Sequence, residues 1–236
     1  MSKRKAQEEP AAEPEDEVDD LAIGLLDAEG LTGQLEADAA DEDGGKVAGA
    51  TLGDFLDDDE LPEGITEEAL KSEENVDLSS ASLSLVQAQR VAQLLASNDA
   101  LASIKFDGHT VDVESMRTDE ELEWDSEDYC DVEAIIIAEL LKQNTSVSRL
   151  DLARNQIGDA GAVALAEMLW SNSTLEYLNL ESNIFGEGGG EAFLKALTQN
   201  ATVNYLNLMY NSIPTGVQDE IRNAWQSSSR SVGLHL

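Results

Sequence analysis

One nine-residue pattern recurs at a fixed interval and constrains this chain more than any other feature. Val147-Ser148-Arg149-Leu150-Asp151-Leu152-Ala153-Arg154-Asn155 reads V-x-x-L-x-L-x-x-N, and the pattern returns at Leu175–Asn183 and Val203–Asn211. The steps Leu150→Leu178→Leu206→Leu234 are each 28 residues by subtraction. A period of this length marks a solenoid, in which each unit buries its apolar side against its neighbours.

Within each L-x-L the two leucines point to one face of a strand, because strand side chains alternate. Helices are expected near 131–143, 159–171, 187–199 and 215–227, with apolar pairs such as Leu165/Leu169, Phe193/Leu197 and Ile221/Trp225 turned toward the strands. Strand and helix alternating through local crossovers give a parallel sheet whose successive strands are neighbours. Asn155, Asn183 and Asn211 end the pattern, where an amide can satisfy backbone groups as the chain leaves the strand. Their expected role is a structural ladder. Gly158/Gly161 and Gly186/Gly189 fall where a tight turn enters a helix, with Pro214 and Gly216 serving similarly in the last unit.

Upstream, Leu83, Val86, Val91, Leu94 and Leu95 predict a leading helix, and Leu101, Ile104 and Phe106 have the spacing of a degenerate first repeat. His109 stands there where the others carry asparagine. Ile104→Leu150 spans 46 residues, 18 more than one period, so an insert is expected at about 112–130. The predicted fold class is therefore α/β: a short curved solenoid of about five parallel strands alternating with helices, over residues 79–236.

Charge separates this domain from the rest. Of the net −35, residues 1–82 hold 26 acidic and 5 basic side chains, and 112–131 hold 10 acidic and 1 basic. Residues 1–78 cannot bury enough apolar surface to offset their ordering entropy, and a disordered acidic tail is expected there. Two apolar islands interrupt it, one containing Leu25 and Leu26, the other Phe55 and Leu56. Such islands can fold as short helices in a partner's groove. In the insert, Trp124 and Tyr129 lie among carboxylates, a composition suited to gripping a basic partner. The alternative is that these aromatics dock on the solenoid while the acids stay solvated.

This acidity argues against direct binding of nucleic acid or an anionic membrane. It favours a protein partner, a basic one among the candidates. Cys130 is the only cysteine, so no disulfide can form within the chain. No apolar stretch follows Met1-Ser2-Lys3-Arg4-Lys5 and none is long enough for a bilayer, so a cytoplasmic protein is expected, with a nuclear location left open by that basic cluster. No metal spacing, phosphate loop or nucleophile elbow is present; an enzyme is not expected, nor a cofactor. Asn144-Thr145-Ser146, Asn172-Ser173-Thr174 and Asn200-Ala201-Thr202 match glycosylation sequons, but they recur with the repeat at helix ends, which points to structure.

The residues flanking the buried strand leucines should form the concave face. They are Lys105, Arg149, Asp151, Tyr177, Asn179, Glu181, Tyr205, Asn207 and Met209, then His235. Tyrosines stacked beside Arg149 and Met209 have the composition of a protein-binding surface. The terminal strand near Leu234-His235-Leu236 is an edge, expected to be covered by the tail, a partner or a second subunit.

The 28-residue units resemble ribonuclease-inhibitor-type leucine-rich repeats, a resemblance that covers about residue 83 onward. More narrowly, Leu165-Ala166-Glu167-Met168-Leu169 and Asn172 to Asn183 are similar to the tropomodulin/leiomodin family. That family caps the pointed ends of actin filaments, so the resemblance implies actin as a partner. The family's tropomyosin-binding helices and closing C-terminal helix are not recognisable, so none of its actin-binding residues is carried over. The expected function is a non-catalytic interaction scaffold or adaptor working through its concave face and acidic appendages. The alternatives are tropomodulin-like actin capping or nucleation, and an acidic chaperone of basic proteins such as histones.

Overall fold

The computed structural model describes residues 60–228, 230 and 233–236. The segment before residue 60, with Leu25, Leu26, Phe55 and Leu56, lies outside the described residues. The first elements are helix α1 (Glu67–Ser72) and strand β1 (Asn75–Asp77). Thr66 caps α1 by accepting from the Ala69 amide, and Leu70 turns into the core. The folded domain thus begins ahead of residue 79, which corrects the boundary drawn from composition. Glu67, Glu68, Glu73 and Glu74 make the stretch look solvated, yet they stay exposed while Leu70, Val76 and Leu78 are buried.

Helix α2 (Leu85–Leu95) starts from a capping box in which Ser84 and Gln87 satisfy each other's amides. Strands β2 (Ser103–Lys105) and β3 (Thr110–Asp112), helix α3 (Val113–Thr118) and strand β4 (Glu121–Glu123) follow. From there helices and strands alternate: α4 (Asp131–Leu141), β5 (Arg149–Asp151), α5 (Asp159–Ser171), β6 (Tyr177–Asn179), α6 (Glu187–Gln199), β7 (Tyr205–Asn207), α7 (Thr215–Ser227) and β8 (Leu234–His235).

The strands form two sheets. One has the order β1-β2-β3, with β1 and β2 parallel and β3 antiparallel to β2; the other is β4-β5-β6-β7-β8, parallel throughout. Leu122, Leu150, Leu178, Leu206 and Leu234 face one another across the second sheet in steps of 28. Val76 and Ile104 take the same step in the first. The five-stranded parallel sheet of the sequence reading exists, but its first strand is β4, not the strand around Ile104. The stretch 112–130 is accordingly no appendage: Leu122, hidden between Glu121 and Glu123, is 2% exposed and carries the repeat. The true interruption is the hairpin of β3 and the short helix α3. The helices ignore it, since α2 packs directly on α4 and the row continues through α5, α6 and α7.

Asparagines at the repeat ends join the units, Asn155 and Asn183 buried and Asn211 half-buried. Asn183 donates to the carbonyls of Leu152 and Leu180 at 3.0 and 3.1 Å and accepts from the Ile157 amide at 3.0 Å. Asn155 donates to Trp124 and Leu152, and accepts from the amides of Glu127 and Tyr129. Asn211 donates to Leu180 and Leu208. A second row lies at the helix ends: Asn172 donates to Leu141 and Asn144, Asn200 to Leu169 and Asn172, each from a buried site. Each of these asparagines donates to at least one carbonyl of the preceding unit, and so ties neighbouring repeats together.

Carboxylates stitch the helix starts as well. Asp131 accepts from the amides of Gly158 and Gly161 at 2.7 and 2.8 Å, and Asp159 accepts from Gly186 and Gly189, both at 2.8 Å. A Cβ on Gly161 would stand 2.8 Å from that of Ala134, and one on Gly189 2.8 Å from that of Ala162. Glycine lets each helix start close against its predecessor.

Candidate protein-binding face

In β4 to β8 the central leucine turns toward the helices, so the residues on either side of it turn away. They form a surface of short columns, each built from one repeat position. In the first column, the guanidinium of Arg149 lies 3.5 Å from the ring centre of Tyr177. Tyr177 and Tyr205 stack face to face, with centroids 4.1 Å apart and planes 9° from parallel. The next place in the column is Gly233, which has no side chain; the His235 ring leans in at 5.0 Å from Tyr205. The geometry follows from the register, because Arg149, Tyr177 and Tyr205 are direct neighbours across the sheet. Burial and the neighbouring Tyr205 raise the pKa of the Tyr177 hydroxyl, so it stays a neutral phenol at physiological pH.

The second column is locked by amides. Asn179 donates to both oxygens of Asp151 at 3.1 and 3.0 Å, and Asn207 donates to Glu181 at 2.9 Å. Their own oxygens accept from the amides of Glu181 and Met209, which bends the chain away after the strand. Asn179 and Asn207 are buried, while Asp151, Glu181 and Met209 are half-exposed at the rim of the stack. A side chain held this way loses little freedom when a partner arrives, which lowers the entropic cost of binding.

Strand β4 adds residues to this face that the sequence reading assigned to an insert. Glu121 pairs across with Arg149 and Glu123 with Asp151, and both are exposed. Beyond them Asp125 lies 3.7 Å from Arg154. The available signal was numerical: Leu122 stands 28 residues before Leu150.

Other expected site residues fall elsewhere. Lys105 belongs to the first sheet, where it donates to Asp77 at 2.8 Å, and so is not part of the stacked face. Lys105 and Ser79 together hold the Asp77 carboxyl well below the usual carboxylate range. Tyr129 is 2% exposed, with its ring 5.0 Å from that of His109 and edge-on to Trp124 at 6.2 Å. It is a core residue and cannot anchor a partner, a correction to the sequence reading; Trp124, half-buried, packs against the same core. Burial, with Glu127 and Glu133 nearby, pushes the Tyr129 hydroxyl far above its ordinary value.

The one cysteine is held in a different way. Cys130 donates its thiol to Glu133 at 2.9 Å, and burial and that bond push the thiol up. The other Glu133 oxygen lies 3.5 Å from His109 Nε2, a buried nitrogen that makes no hydrogen bond, and the thiol bonds to the carboxylate rather than to an imidazole. Among the described residues no group of three His, Cys, Asp or Glu side chains can hold a metal. Among the same residues no helix is long and apolar enough to cross a membrane.

Residues 130–229 match the family model of the TMOD/LMOD leucine-rich domain. Two solved structures are similar. One is the leiomodin-1 actin-binding site 2, at 26% identity and a TM-score of 0.47, covering 52% of this chain and 75% of that one. The other is a Caenorhabditis elegans tropomodulin C-terminal domain, at 12% identity and 0.38, covering 68% and 89%. No curated protein matches. The repeats from 130 onward are leucine-rich repeats similar to those of tropomodulin and leiomodin, in agreement with the resemblance read from Leu165–Leu169 and Asn172–Asn183.

Proposed function

We propose that this chain is a non-catalytic interaction protein whose leucine-rich-repeat domain holds a protein partner on the sheet face turned away from its helices. The observation that carries the reading is the Arg149–Tyr177–Tyr205 stack, set on short strands and flanked by amides already bonded to their carboxylates. Arginine and tyrosine at the centre of a preorganised patch are the residue types that dominate binding energy at interfaces. Placing them on adjacent strands offers about three strand widths, roughly 14 Å, of rigid contact. On this face Asp151 and Glu181 are held by Asn179 and Asn207, which fixes them as part of a rigid contact surface.

Photo-cross-linking tests the reading. A photoreactive residue at Tyr205 should yield adducts with a protein partner in cells, whereas the same residue at Trp170, exposed on helix α5, should not. Adducts from Trp170 alone would place the interface on the helix side.

A second reading, actin, is favoured by the match of residues 130–229 to the TMOD/LMOD leucine-rich domain. In it, the face contributes to capping or nucleation at filament pointed ends. Elongation of pyrene-labelled actin from pointed ends should slow at micromolar concentrations of the full chain; no change would remove this reading and leave the broader one standing.

A further inference from the structure

The corrected strand assignment changes the charge of the face. Reading across the sheet, β7 presents Tyr205 and Asn207, with Met209 just beyond it, and β6 presents Tyr177 and Asn179, with Glu181 just beyond it. On β5 the cation Arg149 is balanced by Asp151. Up to that strand almost every charge is occupied: Arg149 by the Tyr177 ring, Asp151 by Asn179 and Glu181 by Asn207. Strand β4 breaks the pattern. Glu121 and Glu123 both point to this face and are exposed, and neither carboxylate has a hydrogen bond or ion pair among the described residues. The only arginine on the adjoining loop, Arg154, is already turned to Asp125.

The face is therefore polarised, with unpaired anions at one side and a neutral aromatic stack at the other. Resting on the reading of this face as a partner site, we infer that its partner contributes a cationic segment. A lysine or arginine sits between Glu121 and Glu123, and an aromatic or aliphatic side chain lies against Tyr205 and Met209. The separation follows from sheet geometry. From β4 to β7 is three steps of about 4.8 Å, or roughly 14 Å, which an extended chain covers in about four residues. The segment crosses the strands, so cation and anchor stand about four positions apart. An acidic segment is repelled at β4, and a neutral one leaves two carboxylates to be desolvated without a counter-charge, which costs affinity.

The test is selection of short random peptides on the full chain at physiological ionic strength, followed by affinity measurement against three variants. Enriched peptides should carry lysine or arginine about four positions from an aromatic or aliphatic residue. Their affinity should fall about five- to ten-fold for Glu121→Gln/Glu123→Gln, with a shallower salt dependence. It should fall more than about ten-fold for Tyr177→Ala/Tyr205→Ala and stay unchanged for Trp170→Ala. The glutamine pair removes exposed groups without partners and should leave the thermal midpoint unaltered. If the alanine pair unfolds, Tyr205→Ala alone replaces it.

Peptides that depend on the tyrosines but bind the glutamine variant undiminished would overturn the cation inference and keep the face. Peptides indifferent to both pairs would overturn the face as well, and would show the acidic segment outside the domain to be binding them by bulk charge. Failure to enrich any peptide would overturn the proposal of a linear segment.

Discussion

The two sheets of the described residues are built on one interval and end differently. Val76 and Ile104 are 28 residues apart in the first, as are the five leucines from Leu122 to Leu234 in the second. In the second sheet every strand from β4 to β7 pairs in parallel with the strand of the next repeat. In the first, the outer edge of β2 is taken by the antiparallel strand β3, and parallel growth stops there. The helices continue across the break because α2 packs on α4. A solenoid can thus change its sheet without losing its core, provided that the helix row stays in contact and the loose backbone groups are satisfied. Here Arg117 does the latter, donating to the carbonyls of Leu101 and Asn98, while Asn144 donates to Met116. In the regular repeats an asparagine of the next unit does the same work unaided.

The largest expected effect tests where the second sheet begins. Leu122→Ala should destabilise the domain by about 3 kcal/mol, comparable to Leu150→Ala, since both remove a buried leucine from the same ladder. Denaturant unfolding monitored by circular dichroism measures it. A loss below about 0.5 kcal/mol would return residues 112–130 to the status of an appended loop.

Next in size is the seam. Arg117→Ala leaves the Leu101 carbonyl without its donor and takes one of two donors from the Asn98 carbonyl, and should cost about 2 kcal/mol, whereas alanine at the exposed Arg222 of α7 should cost less than about 0.5 kcal/mol. Equal losses would mean that the break needs no special satisfaction.

The smallest effect concerns charge in the first sheet. Asp77, held below the ordinary carboxylate range chiefly by Lys105, stays ionised under mild acid. A depressed carboxyl adds stability above its unfolded pKa and loses it as pH falls through the folded one. Lys105→Met should therefore move the Asp77 carboxyl back up toward the ordinary range, read by NMR titration, with little change in stability at neutral pH. An unmoved titration would show that Ser79 alone sets it.

The same contrast explains what the sequence made legible. Leu150, Leu178 and Leu206 are followed by a second leucine and a terminal asparagine, so period and fold class are plain from the letters. The stack of Arg149, Tyr177 and Tyr205 follows from that period, because equal spacing puts the three side chains in one column. Leu122 is hard to recognise in the sequence because glutamates flank it, Trp124 stands where the others have leucine and Glu127 where they have asparagine. Charge runs read as solvated chain, although in a strand they need only occupy the alternate, outward positions. Tyr129 misled for the opposite reason. Its acidic neighbours suggested a surface, but burial is set by tertiary contact with His109 and Trp124, which no local pattern shows.

The central claim is that the polarised sheet face, and not the helix side, holds the protein's partner. The most direct measurement is affinity recovery of cross-linked partners with the full chain, comparing Tyr177→Ala/Tyr205→Ala with Trp170→Ala at matched thermal midpoints. Loss of the partner from the tyrosine variant, with full retention by Trp170→Ala, is the expected result. Retention by the tyrosine variant and loss from Trp170→Ala would contradict it.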